Sequence, residues 1–388
     1  MKYVKSPIFY MGNKYRLLPQ LIPLFPNNID IFYDLFGGSG CMSGNVESKH
    51  TVYNEINDNI VNLYKLFLKY TPEEIDLKIK EYIKSYDLNT EGTDVRQNNP
   101  DIKEIRDYYN ENYLAFRKAY NESERDYLML YTLTFYSFSN LIRFNGKNDF
   151  NMPYGNRCYT SKHYEQIKEW YELIKNKDIT IKQENAFDIL QDTIFNKDDF
   201  IYLDPPYSNT LAIYNEKRAF GGWSIEDDYR LFAILEKLDK CGIKWGLSNV
   251  FKNKDYTNNH LIKWCEDNNW NVHHLNLSYS SLGKGNANSD EVYICNYDDF
   301  MKNKDRFTKD KEISDCLTTT LKEGVVLIEN ATKQGYLEAT EGDGIDISSR
   351  MQYHRGNVQK DMCQTITTSG GNDRGVVIKN EIDLSCLD

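Results

Sequence analysis

Ile31-Phe32-Tyr33-Asp34-Leu35-Phe36-Gly37-Gly38-Ser39-Gly40 is the stretch that decides the fold. Ile31 to Leu35 reads as a short apolar strand, and the glycines that follow end it in a turn. Thr51 to Ile56 reads as a second strand with Glu55 near its end. Beyond it, Ile60, Leu63, Leu66 and Phe67 mark Asn59 to Lys69 as a helix by their spacing. Strand, glycine turn, helix, strand is the start of an α/β sheet.

Outward from this unit, further strands are predicted at Ile179 to Lys182, Phe200 to Leu203, Lys244 to Ser248 and Glu291 to Asn296. Amphipathic helices around Asp228 to Lys240 and Asn259 to Asn268 separate the later ones. Strands alternating with helices predict a doubly wound, mainly parallel sheet. Between the two groups of strands, Thr71 to Arg125 is polar and charged, with a loop expected over Asp87 to Asp101. Tyr127 to Phe138 is apolar and aromatic, predicting a buried helix that leads into an irregular segment from Asn140 to Asn156.

In the turn itself, missing side chains let a ligand approach the backbone, and Glu55 stands where an acid can accept both hydroxyls of a ribose. No Gly-Lys-Ser or Gly-Lys-Thr follows, which disfavours a phosphate-binding loop. Asp34 suits a cationic sulfonium better than a pyrophosphate. A turn without a ligand is the competing reading of the glycines taken alone.

Asp204-Pro205-Pro206-Tyr207 closes the strand Ile201-Tyr202-Leu203. Consecutive prolines stiffen the chain and remove two backbone donors, leaving carbonyls free to accept. The Asp204 carboxylate and the Pro205 carbonyl can then hold one amino group by both protons, turning its lone pair toward an electrophile, while Tyr207 offers a stacking face. Such a triplet in isolation is more often a surface turn. Here its place after an apolar strand, downstream of the glycine turn, favours the functional reading.

Composition bounds the rest. The 388 residues suffice for a catalytic domain with a sizeable core and a smaller unit. A net charge of −11 argues against a globally basic nucleic-acid coat, although a local basic cleft can coexist with an acidic remainder because charges are screened over about 8 Å. Met1 to Tyr10 lacks the long apolar core of a secretory signal, and no apolar run approaches the roughly 20 residues that span a bilayer, so a cytoplasmic location without membrane contact is expected. The eight cysteines, Cys41, Cys158, Cys241, Cys265, Cys295, Cys316, Cys363 and Cys386, form no CxxC pair, predicting reduced thiols and no metal site.

Over residues 5 to 298 the chain resembles the Dam-type, alpha-group (D12 class) adenine-N6 DNA methyltransferases, in phage or mobile-element form. Gly12-Asn13-Lys14 resembles the first cofactor segment of that family, and the glycine turn, the acidic strand end, an inserted region and Asp204-Pro205-Pro206-Tyr207 follow in the family's order. Arg143-Phe144-Asn145 and Asp149-Phe150-Asn151-Met152-Pro153-Tyr154-Gly155 resemble its recognition stretch, and Leu247-Ser248-Asn249 and Ser278 to Tyr297 its last core strands.

The resemblance implies a Rossmann-like class I methyltransferase fold. The catalytic domain would comprise 1–70 and 176–300, and 71–175 would be a helical target-recognition insertion. S-adenosylmethionine would be held by Gly12, Lys14, Asp34, Phe36, Gly37, Gly38, Gly40, Glu55, Asn185, Phe187 and Asp204. Asp204, Pro205, Pro206 and Tyr207 would carry the chemistry. Arg143, Asn145, Asn151 and Pro153 would meet double-stranded DNA, the Arg143 guanidinium fork matching guanine O6 and N7, against the alternative of a phosphate contact. A cognate restriction endonuclease is the further partner it implies, in a bacterial or phage-infected cell.

Two positions depart from the family: Asn185 stands where an acid often contacts the cofactor's adenine, with Phe187 a substitute, and Phe138-Ser139-Asn140 replaces Tyr-Asn-Gly. For Lys14 the alternative is a surface lysine; His163, His273 and His274 have no triad or metal partners at useful spacing and are expected to be solvated or capping.

A cytosine-N4 methyltransferase would share the fold but is favoured by Ser at position 204. A protein or RNA amine methyltransferase usually carries Asn there. A non-catalytic DNA-binding decoy would have lost Asp204, Tyr207 or the glycine turn, and all are present. Beyond about 305, Cys316-Leu317-Thr318-Thr319-Thr320 with Gly324-Val325-Val326 and Cys363 to Thr368 with Gly375-Val376-Val377 form a weak internal repeat, so 305–388 is expected to be a small β-rich accessory unit.

Overall fold

The computed structural model describes residues 2–10, 12–90, 100–207, 223–253, 256–275, 289–298 and 300, and strand backbone within 321–383. Met1–Met301 and Lys302–Asp388 form separate compact units.

In the first unit the phenylalanines and branched residues of the predicted strands pair as expected. β1 (Ile31–Asp34), β2 (His50–Asn54), β3 (Ile179–Lys182), β4 (Phe200–Leu203) and β5 (Lys244–Asn253) are parallel, in the order β3-β2-β1-β4-β5. β6 (Tyr256–Thr257) attaches to the far end of β5; β7 (Asn271–Leu275) and β8 (Ser289–Cys295) complete the sheet, β8 antiparallel to β5 and β7 antiparallel to β8. Winding runs outward in one direction from β1 and in the other from β4, so the carboxyl ends of these neighbours form the crevice where such sheets bind ligands.

β5 continues past the predicted end at Ser248 because its second half pairs with β8, down to Asn253 opposite Ser289. β2 stops at Asn54, leaving Glu55 just outside the ladder.

Alternation along each strand feeds two apolar layers. Ile201 and Leu203 join Tyr33, Leu35, Trp245 and Leu247 beneath α8 (Ala186–Asp192), α9 (Ile225–Lys240) and α10 (Asn259–Asn268). Phe200 and Tyr202 face the other way, with Phe32 and Tyr293, onto Phe25 and the short helices α1 (Leu18–Leu21) and α2 (Cys41–Asn45). Each such side chain contributes roughly 1.5–3 kcal/mol by leaving water. α9 begins at Ile225, a turn earlier than the apolar spacing suggested, because Ser224 and Asp227 form a capping box.

The remaining helices share a third core. α3 (Asp58–Lys69), α4 (Pro72–Ser85), α5 (Pro100–Glu122), α6 (Tyr127–Tyr136) and α7 (Ser161–Ile174) pack with Tyr53 of β2. α6 is buried along its length from Met129 to Tyr136, as its all-round apolar sequence requires. Of the loop expected over Asp87 to Asp101, residues 91–99 lie outside the described residues, while Asp87 accepts a hydrogen bond from the Tyr108 hydroxyl.

The second unit pairs β9 (Leu321–Lys322), β10 (Val325–Glu329) and β11 (Tyr336–Ala339) in the order β11-β10-β9. β12 (Gly344–Asp346), β13 (Asn357–Gln359), β14 (Arg374–Ile378) and β15 (Glu381–Asp383) follow the order β13-β12-β14-β15. The repeated valine pairs fall on β10 and β14, each flanked by strands on both sides; the Cys-Thr portions of the repeat lie outside the described residues. No helix among the described residues is long and apolar enough to cross a membrane.

Candidate active site

Asp34 ends β1 and Asp204 follows β4, so strand pairing brings both acids to the crevice between those strands. The Asp34 Oδ2 accepts from the Ser43 backbone N–H at 3.1 Å and the Ser43 hydroxyl at 2.6 Å. Burial pushes the Asp34 carboxyl up to about 7, and the Asp204 charge adds to that, while the two Ser43 donors act in the opposite direction.

The glycine turn is bound to the neighbouring strand. Gly37 N–H donates to the Asn54 carbonyl at 2.7 Å, and the Tyr53 hydroxyl donates to the Gly38 carbonyl at 2.8 Å. Glu55 Oε2 accepts from the Gly38 N–H at 3.0 Å and Oε1 from the Asn57 N–H at 2.9 Å, which fixes its carboxylate beside the turn. Packing also explains two of the glycines. A Cβ on Gly37 would stand 2.4 Å from the Tyr53 ring, and one on Gly40, whose φ is +72°, would stand 2.1 Å from the Tyr64 ring. Tyr53 and Tyr64 are themselves stacked at 4.2 Å.

Asn13 caps the 3-10 turn Lys14–Leu17 by accepting from the Tyr15 N–H and donates to the Ser39 hydroxyl at 3.0 Å, tying the N-terminal segment to the glycine turn. Lys14 is consequently buried at 8% exposure, so the surface-lysine alternative fails. Its ammonium lies 2.7 Å from Asp204 Oδ2 and donates to the Tyr207 hydroxyl at 3.0 Å; that hydroxyl in turn donates to Asp204 Oδ1 at 3.2 Å. Burial acts to lower the Lys14 pKa, but the surrounding Asp204, Tyr207, Tyr202 and Glu291 outweigh it and hold the ammonium well above its usual range. Burial, then the Asp204 charge, raises the Tyr207 phenol.

These groups line one cavity of about 410 Å³. Of the sequence-predicted residues, Gly12, Lys14, Asp34, Phe36, Gly37, Gly38, Glu55, Asn185, Phe187, Asp204, Pro205, Pro206 and Tyr207 lie on its wall; Gly40 does not. Asn185 caps α8 by accepting from the Phe187 N–H at 2.9 Å.

Sequence reasoning missed Trp223, Asp227 and Arg230 on the same wall. Trp223 lies parallel to Phe187, with centroids 5.5 Å apart, and the Arg230 guanidinium stands 4.2 Å over the Phe187 ring. The capping signal Ser224 to Asp227, which starts α9, was the available clue to Trp223. Glu291 was also missed. On β8 it shares the face of Tyr293, opposite the apolar Val292 and Ile294, and an acid on that face of a core strand was the signal. Burial raises the Glu291 carboxyl, Lys14 opposing and Asp204 assisting.

Arg143, Asn145, Asn151 and Pro153 are absent from this cavity and gather in a hairpin between α6 and α7. Arg143 Nε donates to Asn151 Oδ1 at 2.8 Å and Nη2 to the Asn151 carbonyl at 3.1 Å. Asn145 closes the tip, its Oδ1 accepting from the Lys147 and Asp149 N–H groups. The Pro153 carbonyl accepts from the Phe138 N–H at 2.8 Å. Asn140, where the family has Gly, adopts φ 56°, a left-handed conformation that Asn tolerates, and its side chain donates to the Thr134 carbonyl. His163 has the expected capping role, accepting from the Thr160 N–H at 3.1 Å.

Residues 10–281 match the family profile described as D12 class N6 adenine-specific DNA methyltransferase. Among curated proteins the chain is 34% identical over 302 residues to "Modification methylase StsI" of Streptococcus sanguinis, covering 76% of this chain and 43% of that protein. It is 32% identical over 305 residues to "Type II methyltransferase M.FokI" of Planomicrobium okeanokoites, covering 77% and 44%. With the "DNA adenine methylase" of Vibrio cholerae serotype O1 it shares 27% over 300 residues, 75% of this chain and 96% of that one. The chain thus spans less than half the length of the first two relatives.

Proposed function

This chain belongs to the D12 class N6 adenine-specific DNA methyltransferase family, and on that premise we propose that it methylates the N6 amino group of adenine in duplex DNA, using S-adenosylmethionine. One observation carries the reading. Asp204, followed by two prolines and Tyr207, stands at the sheet's switch point on the wall of a cavity that also presents Asp34 and Glu55.

The cavity fits the cofactor chemically. Asp34 stands near Asp204 for a cationic centre, Glu55 beside the glycine turn for ribose hydroxyls, and Phe187, Trp223 and Asn185 supply flat and polar surfaces for a purine. When bound, S-adenosylmethionine supplies a methyl group on a sulfonium.

The chain's own residues do the rest. Adenine must leave the duplex to reach the site, and Tyr207 offsets part of an unstacking cost of a few kcal/mol. Asp204 and the Pro205 carbonyl accept the two amino protons and turn the nitrogen lone pair away from the ring. The Asp204 carboxylate stabilises the positive charge that grows on nitrogen, and proton loss follows transfer. Arg143, held by Asn151, reads a guanine in the major groove, with Asn145 and Pro153 beside it. The names of two relatives, a modification methylase and a Type II methyltransferase, support a restriction endonuclease as the functional partner.

Asp at position 204 favours this reading over cytosine-N4 transfer. The test is expression in a methylation-free host with modified bases mapped by single-molecule sequencing. Methyl-N6-adenine in one sequence context is expected, and Asp204→Ala should abolish it while cofactor binding persists. Unmodified DNA from the wild-type chain, or an active Asp204→Ala, would overturn the reading.

A further inference from the structure

Asp228 lies in the first turn of α9 with its side chain 2% exposed, and its two oxygens take different partners. Oδ1 accepts from the Trp223 indole N–H at 2.7 Å; Oδ2 lies 2.8 Å from Nε2 of His260, on α10. A buried carboxylate is costly unless its partners are well placed, so this chain of indole, carboxylate and imidazole is an expensive way merely to fasten two helices. It ends on the cavity wall. Trp223 there lies within 11° of parallel to Phe187 and meets Phe36 edge-on, both rings 5.5 Å away.

An indole attached to a helix start by its backbone alone can turn about its outer side-chain bond, whose rotamers are broad. Ser224 and Asp227 fix the backbone at this point by their reciprocal cap, but they do not hold the ring. The Asp228 contact does, and the imidazole of His260, itself 13% exposed and set among Tyr229 and Phe232, keeps the carboxylate aimed.

We propose that Asp228 and His260 are positioning residues for the cofactor: they lock the Trp223 ring parallel to Phe187, and that locked ring sets the affinity for the adenosyl group. This rests on the assignment of the cavity to S-adenosylmethionine.

The test uses the full chain, with S-adenosylhomocysteine binding measured by calorimetry and turnover measured at saturating cofactor. Asp228→Ala is expected to weaken binding about tenfold, the scale of one charge-assisted hydrogen bond. Asp228→Asn, which keeps an oxygen for the indole, should recover most of that. Trp223→Phe should weaken binding similarly, and combining it with Asp228→Ala should add little. For Asp228→Ala and Asp228→Asn, turnover at saturating cofactor and the KM for DNA should stay within about twofold of wild type. If Asp228→Ala does not fold, His260→Gln in the same cycle with Trp223→Phe replaces it. Folded variants that bind as wild type does, or penalties that add in full, would overturn the proposal. If the wild-type chain binds no S-adenosylhomocysteine, the cofactor assignment itself fails, a result distinct from unaffected variants.

Discussion

The Lys14 ammonium stands 2.7 Å from Asp204 Oδ2 while Tyr207 donates to Oδ1, so both oxygens of the proposed amine acceptor are engaged by the chain's own donors. Each oxygen keeps further lone-pair capacity, so an incoming amino group would join these donors at Asp204. Lys14 also feels the charge of the half-buried Glu291. Lys14→Met is expected to cost about 1–2 kcal/mol of stability by leaving the half-buried Asp204 carboxylate without its cation. Lys14→Met with Asp204→Asn should regain part of it. Denaturant melts decide; a double variant no more stable than Lys14→Met would show that the pair is not coupled.

On the proposed cofactor reading, Asp34 should make binding depend on pH. Its folded value of about 7 lies above the 3.8 of a free carboxyl, so the folded chain holds a proton that the unfolded chain releases between these values. The resulting stabilisation is fully present below about 3.8 and is lost as pH rises through 7. A cationic ligand selects the ionised form. Affinity should therefore rise with pH up to about 7, by at most roughly tenfold per unit, with proton release at pH 6.5. Calorimetry in buffers of different ionisation enthalpy measures that release, and Asp34→Asn should remove it.

Arg143 is aimed by Asn151 through Nε and Nη2. Arg143→Lys should cost about 1–3 kcal/mol on the cognate duplex and relax the preference at one base pair. Asn151→Ala should relax the same position while leaving nonspecific binding nearly unchanged. Binding titrations across single-base variants of the mapped site, at fixed salt, separate these effects. Equal loss on every sequence would reassign Arg143 to a phosphate.

Gly40→Ala should destabilise the fold by at least about 2 kcal/mol, because a left-handed backbone at φ +72° and a Cβ 2.1 Å from Tyr64 are imposed together. Pairing it with Tyr64→Leu should relieve the contact but not the backbone strain. Thermal melts of both variants measure the two parts.

The sheet was legible because strand and helix periods leave plain marks: Phe200 to Leu203 is apolar on both faces, and β4 is central. The cavity was legible where residues adjoin a strand end, as Asp34, Glu55 and Asp204 do. Trp223 and Glu291 escaped because their relevance comes from sheet order and helix placement. Nothing local in Trp223-Ser224 says that the ring will face Phe187, and Glu291 meets the charge of Lys14, which is remote in the chain. Gly37 and Gly40 were read as room for a ligand. Their nearest neighbours are tyrosines, which only the folded pairing reveals.

Trp170 of α7 packs against Gly44, where a Cβ would stand 2.3 Å from its ring, and meets Tyr64 edge-on at 6.5 Å; Tyr64 in turn stacks on Tyr53 of β2. The helices of 71–175 and the sheet are thus keyed through an aromatic joint within a shared core rather than bolted together as exchangeable parts. On the proposed role of the hairpin between Arg143 and Pro153, an engineer seeking a new target sequence would do better to rewrite it than to transplant 71–175 whole. A transplant would have to carry Gly44, Tyr53 and Tyr64 with it.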